Sequence, residues 1–188
     1  MNSIETKHLK TRWIYLFNND IHKFFINKNV LDIGCLDGYS TNQFIKNGAK
    51  NATGIDIENK YIKKAKLEYP NITFKIKDAE QLNNFKNIDV ISCLGLIYLL
   101  TDPVKFLTTI SIQKNSNTII IETVLNNNKI CIENGFYFLN TGLIKKIFQD
   151  NGWTLSYEKI FIVKDIANKI NNDIDFGNRI MLVFERKV

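Results

Sequence analysis

The stretch Val30-Leu31-Asp32-Ile33-Gly34-Cys35-Leu36-Asp37-Gly38-Tyr39-Ser40-Thr41 constrains this chain more than any other. A short apolar run, Val30 to Ile33, breaks at Gly34. After Gly38 the apolar residues Tyr39, Phe44 and Ile45 recur at helical spacing until Asn47-Gly48. That pattern predicts a buried strand, a tight glycine turn and a helix, the first half of a βαβ unit. Open α/β sheets bind ligands in the crevice beyond the carboxyl ends of their strands. Glycine lets the backbone turn sharply and approach a ligand closely there, and Asp32 is placed to fix the loop or accept hydrogen bonds from it. The G-x-G-x-x-G fingerprint of dinucleotide sites is not met, because Leu36 and Tyr39 stand at its second and third glycines. The pattern that is met is D-x-G-x-x-x-G. Alone, it also describes an ordinary glycine-containing turn that binds nothing.

The rest of the chain repeats the theme. Asn51 to Ile57 predicts a second strand ending at Asp56, with Asn59 capping a helix over Tyr61 to Tyr69 that Pro70 stops. Ile72, Phe74 and Ile76 alternate through a third strand, Asn71 to Lys77, which runs into Asp78-Ala79-Glu80. Ile88 to Leu94 is a fourth strand. Asp102-Pro103 reads as N-cap and first turn of a helix. Asn117 to Val124, rich in isoleucine, predicts a central fifth strand with Glu122 near its end. Asn126 to Leu139, carrying Tyr137, reads as an excursion over the crevice. A helix over Thr141 to Asp150 follows, then strands over Trp153 to Val163 and Ile180 to Lys187, separated by a polar insertion from Lys164 to Asn178. Upstream, apolar residues from Leu9 to Phe25 recur at spacings of three and four, as in one or two amphipathic helices. Trp13 there is expected in the core, and Arg12 at the surface or against a substrate. At 188 residues the chain suits one domain over 1–188, with a helical segment (1–27) leading into an α/β core (28–188).

Composition narrows the function classes. No apolar run reaches the length of a membrane span, and the polar segment Met1 to Lys10, with Glu5, is unlike a secretory leader. Three cysteines, Cys35, Cys93 and Cys131, are odd in number and widely spaced. Free thiols of this kind fit a reducing cytoplasm, and no metal-ligand spacing appears. The formal net charge is +6, but the lysines are scattered. The pattern reads as a solvated surface before it reads as a nucleic-acid patch.

Taken in order, the segments give βαβαβ…βαβαβ…β with acidic residues at three successive strand ends. Four motifs carry a resemblance to the class I S-adenosylmethionine (SAM) methyltransferases: Val30 to Thr41, Gly54-Ile55-Asp56-Ile57, Asp78-Ala79-Glu80, and Ile88-Asp89-Val90 through Gly95. The resemblance covers the chain from about residue 28 onward. It implies a Rossmann-like, seven-stranded, mostly parallel sheet with helices on both faces and an antiparallel last strand. It implies SAM as methyl donor, S-adenosylhomocysteine (SAH) as product, and no metal. It also implies roles. Asp32, Gly34 and Gly38 form the loop around the amino-acid end of SAM, with Cys35 and Leu36 supplying loop backbone. Asp56 holds the ribose hydroxyls, Ile57 packs on the adenine face, and Asp78 and Ala79 read the adenine edge. Backbone at Leu94 or Gly95 touches the methionine amine. Leu36 departs from the family's middle glycine.

Gly95 to Pro103 further resembles the G-V-L-Y-H-x-x-x-P run of methyltransferases that include enzymes acting on wobble uridine in tRNA, with Leu99 where the histidine usually stands. Ile121-Glu122-Thr123 and Phe138-Leu139-Asn140 are similar to segments of the same group. The family chemistry is direct displacement at the methyl carbon, which depends chiefly on alignment and exclusion of water. For a proton acceptor the candidates are Glu122 and Tyr98, since His8 and His22 both fall on the N-terminal segment. For acceptor contacts they are Arg12, Tyr98 and Tyr137. The expected acceptor is a small polar molecule. A tRNA or other RNA substrate, or a degenerate SAM-binding or interaction subunit, are the alternatives. The sequence does not indicate an oligomeric state.

Overall fold

The computed structural model describes residues 16, 21–83, 86–133, 135–163 and 175–186. Among the described residues, nine strands and four α-helices follow one another: β1 (Asn29–Ile33), α1 (Tyr39–Lys46), β2 (Asn51–Asp56), α2 (Asn59–Glu68), β3 (Thr73–Ile76), β4 (Val90–Leu94), α3 (Pro103–Ser111), β5 (Thr118–Val124), β6 (Cys131–Glu133), β7 (Phe136–Phe138), α4 (Thr141–Asp150), β8 (Thr154–Ile162) and β9 (Asn178–Glu185). Seven strands form one sheet in the order β3-β2-β1-β4-β5-β9-β8. The pairs among β1 to β5 are parallel, and β9 runs antiparallel to both β5 and β8. The strand order reverses between β1 and β4, and that is where an open sheet leaves its crevice.

Each face of the sheet is apolar because strands buried on both sides need apolar residues at every position. Leu31, Ile33, Ile91, Ile119, Ile121 and Leu182 pack under Phe106, Leu107 and Ile110 of α3 and Ile144 and Phe148 of α4. The opposite face sets Val30, Val90, Ile120, Met181 and Val183 against Phe44 of α1 and against Leu16, Ile21, Phe24 and Phe25. Asp32, Ser92, Glu122 and Arg179 interrupt that second face, all of them buried.

The structure amends several sequence expectations. Asn59 does not cap the helix after β2. It is the first residue of α2, Glu58 is the cap without a side-chain bond, and the Glu58 N–H donates instead to Asp56 at 2.9 Å. Ile76 is exposed rather than buried with Phe74, because β3 is an edge strand. The excursion after β5 contains the hairpin β6–β7. The last strand begins at Asn178, two residues earlier than its apolar run suggests, which brings Arg179 into the sheet. Asp102 caps α3 by accepting from the Lys105 N–H at 2.9 Å, and Asn140 caps α4 likewise from Leu143. Of the expected N-terminal helices, the described residues show a one-turn 3-10 helix, Ile21–Phe24. Arg12, Trp13 and His8 lie outside the described residues.

Candidate active site at the carboxyl edge of the sheet

The turn after β1 owes its shape to unusual backbone. Gly34 and Gly38 have φ of 77° and 82°, and Leu36 has φ of 47°. Left-handed backbone costs a non-glycine residue ~1–2 kcal/mol. The Leu36 N–H donates to Asp56 Oδ2 at 3.0 Å, and the Gly34 and Cys35 N–H groups both donate to the Ile55 carbonyl. These bonds fold the turn over the end of β2. A Cβ on Gly34 would stand 3.1 Å from the Leu96 side chain, and one on Gly38 would stand 2.6 Å from the Phe74 ring.

Asp32 anchors this turn. Ser40 Oγ donates to it at 2.5 Å, Thr41 Oγ1 at 2.8 Å and Ser92 Oγ at 3.4 Å. Its carboxylate thus ties the start of α1 to β1 and β4. Burial pushes its pKa up to about 6, against the pull of the three hydroxyls, with Asp56 adding to the rise. The thiols of Cys35 and Cys93 are pushed up by burial and nearby carboxylates, so they stay protonated and unreactive.

Asp56, Ile57 and Asp78 follow along the rim. Asp56 is buried at the end of β2, paired in register with Ile76 of β3. Ile57 beside it is 62 % exposed. Asp78 accepts from the Glu80 N–H and from Gln81 Nε2, fixing the short turn that begins at Ala79. Glu80 in turn accepts from the Thr101 and Asp102 N–H groups. Asp32 is in register with Gly54, two positions before Asp56, and Asp56 with Ile76, two positions before Asp78, so the three carboxylates step outward across three neighbouring strands. At the far side of the crevice Gly95 N–H donates to the Glu122 carbonyl at 2.8 Å, and Leu94 pairs with Glu122 across the strands.

Glu122 is fully buried. Arg179 Nε donates to one of its oxygens at 2.5 Å and Arg179 Nη2 to the other at 3.0 Å. Burial opposes the Arg179 charge, but the Glu122 carboxylate and Tyr98 outweigh it and hold the guanidinium protonated. The guanidinium sits 5.2 Å from the Tyr98 ring centroid. Tyr98 joins Phe136, Phe138 and Phe176 in an aromatic cluster with centroids 5.2–6.3 Å apart. Tyr137, between two members of that cluster on β7, packs with the core on the other side. Of the sequence candidates, Tyr98 and Glu122 thus meet at one place and Tyr137 does not join them. The sequence reading missed Arg179 and the phenylalanines. The signal for Arg179 was a lone cation inside Asn178–Glu185, in a chain with a lone carboxylate inside Thr118–Val124.

A doubly wound sheet with a glycine turn and carboxylates along its carboxyl edge at the switch point defines a Rossmann-like α/β protein. The chain belongs to the Methyltransferase domain family, whose profile matches residues 25–172. It is 29% identical over 153 residues to protein 235L of Invertebrate iridescent virus 6, which carries a provisional methyltransferase name; the match covers 79% of this chain and 53% of that protein. It is 30% identical over 128 residues to a tRNA U34 carboxymethyltransferase of Campylobacter jejuni, covering 62% of this chain and 43% of the relative. The chain thus spans about half the length of the curated relatives it matches. The crystal structure of an S-adenosylmethionine dependent methyltransferase from Mesorhizobium loti shares the fold with a TM-score of 0.67 at 15% identity, over 87% of this chain and 93% of that one. No described helix is long and apolar enough to cross a membrane, and no group of three or more described His, Cys, Asp or Glu residues could hold a metal ion.

Proposed function

We propose that this chain is a SAM-dependent methyltransferase acting on a small polar acceptor. The observation that carries the reading is the pairing of buried Asp56 with exposed Ile57 at the rim, beside a turn whose backbone folds onto that same carboxylate. Both Asp56 oxygens accept from backbone N–H groups, which fixes the carboxylate while a second lone pair on each stays available to the two ribose hydroxyls. Ile57 offers an apolar surface to the purine face. Ala79 and the backbone after Asp78 are in line to read its edge. Gly34 and Gly38 let the turn approach the methionine portion closely.

The donor supplies an electrophilic methyl carbon on a sulfonium. The chain's part is to align the acceptor with it and exclude water. Both carboxylate oxygens of Glu122 accept from Arg179, so we assign Glu122 to positioning and not to proton abstraction. Tyr98, held under the guanidinium, orients the acceptor. The likeness to the tRNA-modifying relative covers less than half of that protein, and a small acceptor is the reading we favour over RNA.

Calorimetry with SAM and SAH tests the assignment. Wild-type protein is expected to bind both, and Asp56→Ala to bind them ~1–3 kcal/mol more weakly, the cost of stranding buried polar partners. Unchanged affinity in that variant would move the ribose elsewhere. Incubating the protein with labelled SAM and cell extract, then separating small molecules, RNA and protein, identifies the acceptor class.

A further inference from the structure

The loop that leaves β4 is pinned at both of its ends. At its start the Gly95 N–H donates to the Glu122 carbonyl, and the Leu96 side chain sits 3.1 Å from where a Cβ on Gly34 would stand. At its end both oxygens of Glu80 accept from successive backbone N–H groups, Thr101 at 3.2 Å and Asp102 at 2.7 Å. Gly34 belongs to the turn assigned to the methionine portion, and Glu80 to the turn assigned to the adenine edge. Tyr98 lies between the two pins.

Capping of α3 does not account for Glu80. Asp102 already caps that helix by accepting from the Lys105 N–H, and Pro103 opens it. Glu80 instead comes from the turn after β3 and joins two loops. Its own position is fixed by Asp78, whose Oδ1 accepts from the Glu80 N–H at 2.9 Å and whose Oδ2 accepts from Gln81 Nε2 at 2.8 Å. A purine edge held by Asp78 is thus one hydrogen bond from Glu80 and two from the loop. Carboxylate bonds to N–H groups are stronger than neutral ones, and two from one carboxylate set direction as well as distance.

Resting on the SAM reading above, we propose that Glu80 is a positioning residue that couples the adenine pocket to the acceptor side. Seating the adenosine half of the cofactor stiffens turn 78–81, and through Glu80 this fixes loop 95–102 with Tyr98 on it. By linkage, an acceptor held by the fixed loop tightens the cofactor by the same factor.

The test is amide hydrogen exchange on the full chain, read residue by residue. It is run without ligand, with saturating SAH, and with saturating methylthioadenosine, which fills only the adenosine half. In wild-type protein both ligands should slow exchange at Leu99, Leu100, Thr101 and Asp102 by about fivefold or more, within the usual range of coupling between sites. Glu80→Gln keeps the shape but loses the charge and one acceptor, and at saturating ligand most of that slowing should disappear. Thr101→Pro removes one donor from the opposite end. Leu100 already holds the extended backbone, ψ 150°, that a following proline needs. This variant should lose the slowing at Leu99, Leu100 and Asp102. A Glu80 that only supports the fold would shift exchange equally with and without ligand, and an intact ligand-induced difference in both variants overturns the proposal. Slowing by SAH but not by methylthioadenosine also overturns it, since the signal would then run through the glycine turn. SAH binding with no slowing in the loop sinks this proposal alone, whereas failure to bind SAH sinks the SAM reading.

Discussion

Leu36 occupies a backbone conformation that glycine adopts freely. The chain holds it there with one hydrogen bond to Asp56. Leu36→Gly removes the strain but loosens the unfolded chain, so its stability should fall within about 1 kcal/mol of wild type. Leu36→Ile puts a β-branched residue at positive φ and should cost about 2 kcal/mol or more. Urea midpoints decide, and an isoleucine variant as stable as wild type would mean that the turn adopts another path. The same residue shows a limit of sequence reading. The motif is read by residue type, which marks Leu36 as a departure, while its backbone lies in the left-handed region that glycine favours.

At the scale of elements, Gly54 is a junction closed on three sides. A Cβ there would stand 2.7 Å from the Phe74 ring and from Thr41 Oγ1, and 2.8 Å from Cys35 Sγ. It is the point where β2, β3 and the turn into α1 meet. Gly54→Ala should destabilise the protein by ~1–3 kcal/mol through overpacking and weaken SAM binding as the turn shifts. Unchanged thermal stability and affinity would show that the junction can relax. The parallel strands and the cap at Asp102 were legible because apolar runs and capping residues are local signals. The partner of Glu122 was not. Arg179 lies 57 residues away, and its neighbours Asn178 and Gly177 look like loop. Asn59 looked like a cap because nothing local shows that Asp56 already binds the Glu58 N–H. The aromatic cluster was hidden for a similar reason, since the hairpin register decides which of Phe136, Tyr137 and Phe138 faces Tyr98.

For the molecule as a whole, Asp32 ties stability to pH. Its carboxyl titrates near 6 when folded and near its ordinary 3.8 when unfolded. The unfolded chain releases this proton first. The stabilising difference is complete below pH 3.8, shrinks as pH rises, and is gone above about 6. The shift is worth about 3 kcal/mol. Asp32→Asn cannot ionise, so relative to wild type it should gain up to about 3 kcal/mol between pH 4 and pH 7 in urea unfolding. Parallel profiles for the two proteins would show that the buried carboxylate carries no such burden.

The antiparallel return of β9 has a consequence for synthesis on the ribosome. When β5 emerges, Arg179, which donates to both Glu122 oxygens in the folded protein, has yet to be translated. That buried ion pair can form only once the final hairpin docks. The half of the molecule that would grip a nucleoside can assemble early, while the half that would choose what is modified closes last.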